Sequence, residues 1–159
     1  MSTKDFSNIQ EHKVAEFLGW NIISGSGSRA CRPGDIYSNQ WLGECKTHID
    51  SGHKIEFKYS VWCKIADEAA SKFKFPVLIV DDGSQRIDHT WCLIDMNISA
   101  PYGAIVKPLN ISINKNIVIS HDELMNHICT DKLTILCVKL KNYNLGICRL
   151  SDFNLEYGE

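Results

Sequence analysis

Asp35, Glu44 and Lys46 stand in the arrangement Pro33-Gly34-Asp35-x8-Glu44-Cys45-Lys46. These residue types suit hydrolysis of a phosphodiester. The reaction needs charge stabilisation on a pentavalent phosphate, an activated water and help for the leaving alkoxide. One or two hard divalent ions supply all three, and carboxylate oxygens are the ligands Mg²⁺ prefers. Two or three carboxylates must therefore converge on one point, with a cation beside them to position the water.

Strand geometry can bring these side chains together. Side chains alternate along a strand, so Glu44 and Lys46 share a face about 6.5–7 Å apart. Leu42 lies on that face, while Trp41, Gly43 and Cys45 point the other way, toward a core. Asp35 opens the preceding strand, and a short turn through Ser38-Asn39 would set it beside Glu44. The competing reading is an exposed Glu–Lys pair on a strand, worth a few tenths of a kcal/mol. An E-x-K triplet alone is common; the full pattern on two adjacent strands is much less so.

The elements that must hold the pattern are legible from periodicity. A first helix fits about Ser7–Leu18, with Ser7 or Asn8 as N-cap and Gly19 at its end. Trp20–Ile23 reads as a short strand, followed by the turn-rich 24–34 loop. Asp35–Tyr37 and Trp41–Thr47 read as strands. Trp62, Ile65, Ala66, Ala69 and Phe73 form one apolar stripe of a second helix, with Lys64, Asp67, Glu68, Ser71 and Lys72 on its other face and Pro76 as its stop. Val77–Val80 reads as a continuous apolar strand central in a sheet. His89–Ile94 and Ile111–Ile119 read as further strands, and Ser120-His-Asp-Glu123 as a capping box opening a short third helix. Leu133–Leu140 and Leu145–Leu150 read as a hairpin around Asn142–Asn144. The order predicts a single α/β or α+β domain over residues 1–159 with a mixed sheet.

Pro33-Gly34-Asp35 with Glu44-Cys45-Lys46 resembles the signature of the PD-(D/E)XK nucleases. Gly25-Ser-Gly-Ser28, the second helix and Phe75-Pro-Val-Leu-Ile-Val80 are similar to archaeal and phage Holliday-junction resolvases. The likeness spans roughly residues 8–82. It implies a restriction-endonuclease-like mixed β-sheet flanked by helices. Within the single domain, the catalytic core is read at about 7–95 and the segment about 100–159 as a sheet extension or dimer surface. The resemblance further implies Asp35, Glu44 and the Cys45 carbonyl as ligands of Mg²⁺ (or Mn²⁺), with Lys46 orienting the attacking water. Many members add a glutamate from the first helix. Glu11 and Glu16 compete for that place. Glu11 shares a helical face with Val14, Ala15 and Leu18, and is preferred because a carboxylate turned to the core needs a partner or a metal. The implied substrate is branched DNA, cut by a symmetric homodimer in a phage or cellular setting. A restriction- or repair-type endonuclease would use the same side chains, and a non-catalytic nucleic-acid-binding module is the second class of reading.

Gly25-Ser-Gly-Ser-Arg-Ala30 also matches G-x-G-x-x-A, but a dinucleotide loop must open into a helix, and Pro33-Gly34 follows here instead. Phosphate contact by Ser26, Ser28, Arg29 and Arg32 is the better use of the loop. Lys54, Lys58 and Lys64 would line a DNA track beside Tyr59 and Trp62, although a solvated polar face explains them equally well.

The net charge of −2 sits poorly with a DNA partner. Residues 1–80, however, carry ten Lys/Arg against nine Asp/Glu, and divalent ions on the acids would leave that half positive. Seven cysteines form no Cys-x-x-Cys pair and read as reduced thiols packed as small hydrophobes. His48, His53 and His127-Ile-Cys129 lack zinc spacing. No apolar run approaches a membrane span, and the polar N-terminus has no secretory h-region, which predicts a soluble intracellular protein. No catalytic grouping is legible after residue 100.

Overall fold

The computed structural model describes residues 2–24, 33–49, 52–98, 100–111, 113 and 115–158. Helix α1 (Thr3–Leu18) begins four residues earlier than periodicity predicts. Its N-cap is Ser2, not Ser7 or Asn8, because Ser2 and Asp5 close a reciprocal capping box that satisfies the first-turn N–H groups. Gly19, left-handed at φ 71°, ends it as predicted.

Strands β1 (Asn21–Ile22), β2 (Ile36–Tyr37) and β3 (Trp41–Lys46) follow as an antiparallel meander. Strand β4 (Lys54–Lys58) and helix α2 (Tyr59–Ser71) lead to β5 (Phe75–Asp81), which pairs parallel to β3 over Trp41–Lys46. A 3₁₀ turn (Ile87–His89), β6 (Thr90–Asp95), β7 (Ile105–Pro108), β8 (Asn116–Ser120), α3 (His121–Met125), β9 (Thr134–Leu140), β10 (Tyr143–Arg149) and α4 (Leu150–Tyr157) complete the chain. Eight strands form one mixed sheet in the order β1-β2-β3-β5-β6-β10-β9-β7, and β4 pairs with β8 in a separate two-stranded ribbon. The expected mixed α+β architecture is therefore present.

Both faces of the sheet are covered, which explains why β3 and β5 read as near-continuous apolar runs. Leu42, Leu78 and Val80 pack with Trp62, Ile65 and Ala69 of α2 on one face. Trp41, Cys45, Val77 and Ile79 pack with Val14, Ala15 and Leu18 of α1 and Phe153 of α4 on the other. Alternation along β3 thus puts Glu44 and Lys46 on the α2 face.

Several boundaries differ from expectation. Helix α2 stops at Ser71 rather than at Pro76, so Phe73 leaves the apolar stripe: it takes a positive φ of 56° and is 98% exposed. Pro76 instead lies inside β5. Of the strand read over Ile111–Ile119, the described residues place β8 at Asn116–Ser120, and it joins the ribbon rather than the main sheet. Strands β4 and β7 and helix α4 were not legible; β4 is short and lysine-bounded, and β7 is a partly exposed edge ending in Pro108. Ser120 Oγ accepts the Glu123 N–H (3.1 Å) and caps α3.

Helix α4 carries the anchor of the α1-side core. Phe153 meets Trp20, Trp41 and Tyr157 with ring centroids at 5.8, 4.9 and 5.1 Å. Phe153→Ala is expected to cost about 3–5 kcal/mol in urea unfolding, whereas Phe73→Ala should stay within about 0.5 kcal/mol of wild type. Equal effects at the two positions would contradict this placement of the helix ends.

Candidate active site

The turn before β2 sets the position of Asp35. Gly34 adopts φ +70°, and a Cβ there would come within 2.8 Å of Leu42 Cδ1, so both conformation and space demand glycine. Asp35 is then fixed on both sides: its N–H donates to the Gly43 carbonyl (2.8 Å) and its carbonyl accepts from the Ile23 N–H (2.8 Å). Gly43 lets β2 and β3 approach, since a Cβ on it would lie 2.9 Å from Ile36 Cγ1.

Pairing of β2 with β3 runs only to Ile36↔Gly43, and the Asp35 carboxylate occupies the next place along the edge. Asp35 Oδ2 accepts the Cys45 N–H at 2.9 Å. The N–H and C=O of one strand residue face the same neighbour, so the Cys45 carbonyl faces the Asp35 side. Both carboxylates are sunk in the protein, Asp35 at 7% and Glu44 at 3% exposure.

Two ammonium groups share one oxygen of Glu44. Lys46 Nζ lies 2.7 Å and Lys64 Nζ 3.4 Å from Glu44 Oε1. Glu44 Oε2 is buried with no partner among the described residues. Burial works against the Lys46 ammonium, but Glu44 outweighs it and holds the group above the usual lysine range. Gln10 Nε2 donates to the Lys46 carbonyl (2.8 Å). Thr47 Oγ1 donates to Asp81 Oδ1 (2.7 Å) and ties the end of β3 to β5. Lys46 is thus positioned from α1 and from β5.

Glu11 is half-buried on α1, whereas Glu16 is exposed. Burial, then the charges of Asp35 and Glu44 against the opposing pull of Lys46, push the Glu11 carboxyl up to about 7. That coupling puts Glu11 in the electrostatic field of the pair. Burial, reinforced by Asp35, Glu11 and Glu44, pushes the Cys45 thiol well above its usual range, which leaves it a neutral core group rather than a nucleophile.

Other anticipated residues fall differently. Ser26, Ser28, Arg29 and Arg32 lie outside the described residues. Lys54 and Lys58 are exposed at the two ends of β4. Lys64 does not sit on a purely solvated face of α2; it reaches Glu44. Glu68, one turn further, accepts the Gly34 N–H through Oε2 (3.0 Å) and lies 3.9 Å from Lys64 through Oε1. The Lys64/Glu68 spacing of four was visible in the sequence, but nothing local distinguished that pair from an ordinary surface i,i+4 pair. Gln10 was missed for lack of any motif. Beyond Asp81, Asp82 Oδ2 meets His89 Nδ1 at 2.7 Å, and the His89 and His121 rings stack at 3.9 Å.

Among the described residues, no three His, Cys, Asp or Glu side chains are drawn together closely enough to hold a metal ion. What converges is a smaller set: the Asp35 and Glu44 carboxylates with the Cys45 carbonyl edge, and Glu11 nearby.

The raised Glu11 carboxyl gives a signed pH prediction. A folded-state pKa of about 7 against an ordinary 4.5 means the folded protein favours the protonated form. That contribution is complete below pH 4.5 and is lost as pH rises through 7. In EDTA, Glu11→Gln should therefore be more stable than wild type at pH 8, by on the order of 1–2 kcal/mol once solvent screening of the half-exposed carboxyl is discounted, and equal to it near pH 4. Denaturant unfolding at both pH values checks this, and a gain independent of pH would contradict the coupling. Comparison with protein-family models, curated proteins and solved structures returns no match for this chain.

Proposed function

We propose that the protein is a metal-dependent endonuclease that hydrolyses DNA phosphodiesters, with Asp35, Glu44, Lys46 and Glu11 at its centre. One observation carries this reading. Two carboxylates, Asp35 and Glu44, are buried where the β2–β3 ladder ends, with the Lys46 ammonium 2.7 Å from one of them. A buried pair of like charges is costly unless something positive resolves it. Glu44 Oε2 has no partner among the described residues.

This donor set fits Mg²⁺ or Mn²⁺, which take hard oxygen ligands. Asp35, Glu44 and the Cys45 carbonyl would hold the ion, with Glu11 as the third carboxylate. A bound ion would stabilise charge on the phosphate and lower the pKa of water. The chain's own residues do the remaining work. Lys46, its side chain 40% exposed beside the buried Glu44, orients the attacking water. Gln10 and the Thr47–Asp81 bond hold the strand end that carries it. Lys54 and Lys58 give phosphate contacts on the α2 side, joined in this reading by Ser26, Ser28, Arg29 and Arg32.

The mixed sheet flanked by helices supports a restriction-endonuclease-like domain. Residues 100–159 extend that same sheet through β7, β9 and β10. The resemblance to junction resolvases makes branched DNA the favoured substrate and a homodimer the favoured assembly.

Labelled four-way junction, linear duplex and single-stranded DNA, incubated with Mg²⁺, Mn²⁺ or EDTA, test the reading. Wild type should place paired nicks on the junction, and Glu44→Ala and Lys46→Ala should each lose about 10²-fold or more in rate. Cutting of every substrate would keep the endonuclease and replace the junction preference with a restriction- or repair-type activity. Tight binding without cutting in any metal would overturn catalysis and leave a nucleic-acid-binding module.

A further inference from the structure

We infer that α2 supplies a second phosphate-binding ammonium to this site, Lys64, which Glu68 holds in register and Glu44 occupies until a cation takes that carboxylate. The inference rests on the nuclease reading above and deepens it.

The geometry is an alternating chain of charges. Glu68 Oε1, Lys64 Nζ, Glu44 Oε1 and Lys46 Nζ follow one another at 3.9, 3.4 and 2.7 Å. A carboxylate at 3% exposure with two lysines on one oxygen and none on the other is asymmetrically satisfied. Two ammoniums on one oxygen also repel each other, so the arrangement persists only while Glu44 carries its full charge for them. A cation held by Glu44 would compete directly with Lys64, the more distant of the two.

Lys64 would then need another anion. Its side chain is 55% exposed, so it opens to solvent at the mouth of the site while its root is fixed on a helix whose Trp62, Ile65 and Ala69 are fully buried. Glu68 adds a second tether. Its Oε2 accepts the Gly34 N–H at 3.0 Å, so the residue that flanks Lys64 also braces the turn that presents Asp35. A phosphodiester oxygen entering beside Asp35 and Glu44 is the anion this placement selects. Lys64 is a substrate-binding residue in this account, and Glu68 is a positioning residue acting through it.

Direct competition and phosphate contact have separate signatures. Titration of full-length wild type with Mn²⁺ should show weaker binding than Lys64→Ala, by about 3–10-fold, because the variant removes the competing ammonium. Binding of a fluorescent duplex in Ca²⁺, followed by anisotropy across salt, should be weaker for Lys64→Ala, with the salt slope reduced by about one. Lys64→Arg should restore duplex binding. Glu68→Gln, which keeps an acceptor for the Gly34 N–H but removes the charge beside Lys64, should leave the fold intact and reproduce part of the duplex-binding loss. If wild type binds Mn²⁺ and cuts DNA while Lys64→Ala matches it in both titrations, the second ammonium is overturned and the nuclease reading stands. If wild type binds no Mn²⁺ and cuts nothing, both fall together.

Discussion

Burial of two carboxylates beside each other is the constraint on which the rest of this structure depends. Removing one ion from water costs several kcal/mol even after relaxation, and Asp35 and Glu44 are both nearly inaccessible. Each must recover that cost from donors or cations held against it. Asp35 does so through the Cys45 N–H, which is available because β2 pairing ends at Gly43, two residues before it. Glu44 does so through Lys46 two residues on and Lys64 from the neighbouring helix. Strand ends, helix α2 and the Gly34 turn are therefore parts of one electrostatic arrangement.

The double-sided sheet makes that arrangement possible. With α1 and α4 on one face and α2 on the other, β3 is dry along nearly its whole length, and charges on it interact at low dielectric. The same dryness explains why Glu11, approaching from α1, is pushed toward neutrality, and why Cys45 stays protonated between charged neighbours. Glu44 Oε2 is the one carboxylate oxygen of the pair left buried without a partner among the described residues.

Much of this could be read from residue order. The period of two along Trp41–Lys46 fixed the faces of Glu44, Cys45 and Lys46, and the apolar Val77–Val80 run announced the strand beside them. The helical stripe through Trp62, Ile65 and Ala69 was equally plain, because a tightly buried face leaves few residue choices. What stayed hidden depends on tertiary contacts. Phe73 looks like one more helical turn, yet α2 ends two residues before it. Lys64 and Glu68 look like a surface pair because an i,i+4 spacing is the same whether it faces water or Glu44. Gln10 acts through one amide hydrogen bond that no periodicity encodes, and β7 and α4 acquire their places only from the sheet they join.

The melting temperature of the wild type and of an Asp35→Asn/Glu44→Gln variant, each in EDTA and in millimolar Mg²⁺, tests the central claim most directly. A ligand that binds only the folded state raises its stability by mass action. The account predicts that Mg²⁺ raises the wild-type melting temperature, and that the variant does not respond to Mg²⁺. A wild-type melting temperature that ignores Mg²⁺, or a variant that rises with it as far as wild type, would contradict the assignment of Asp35 and Glu44 as the cation-binding pair.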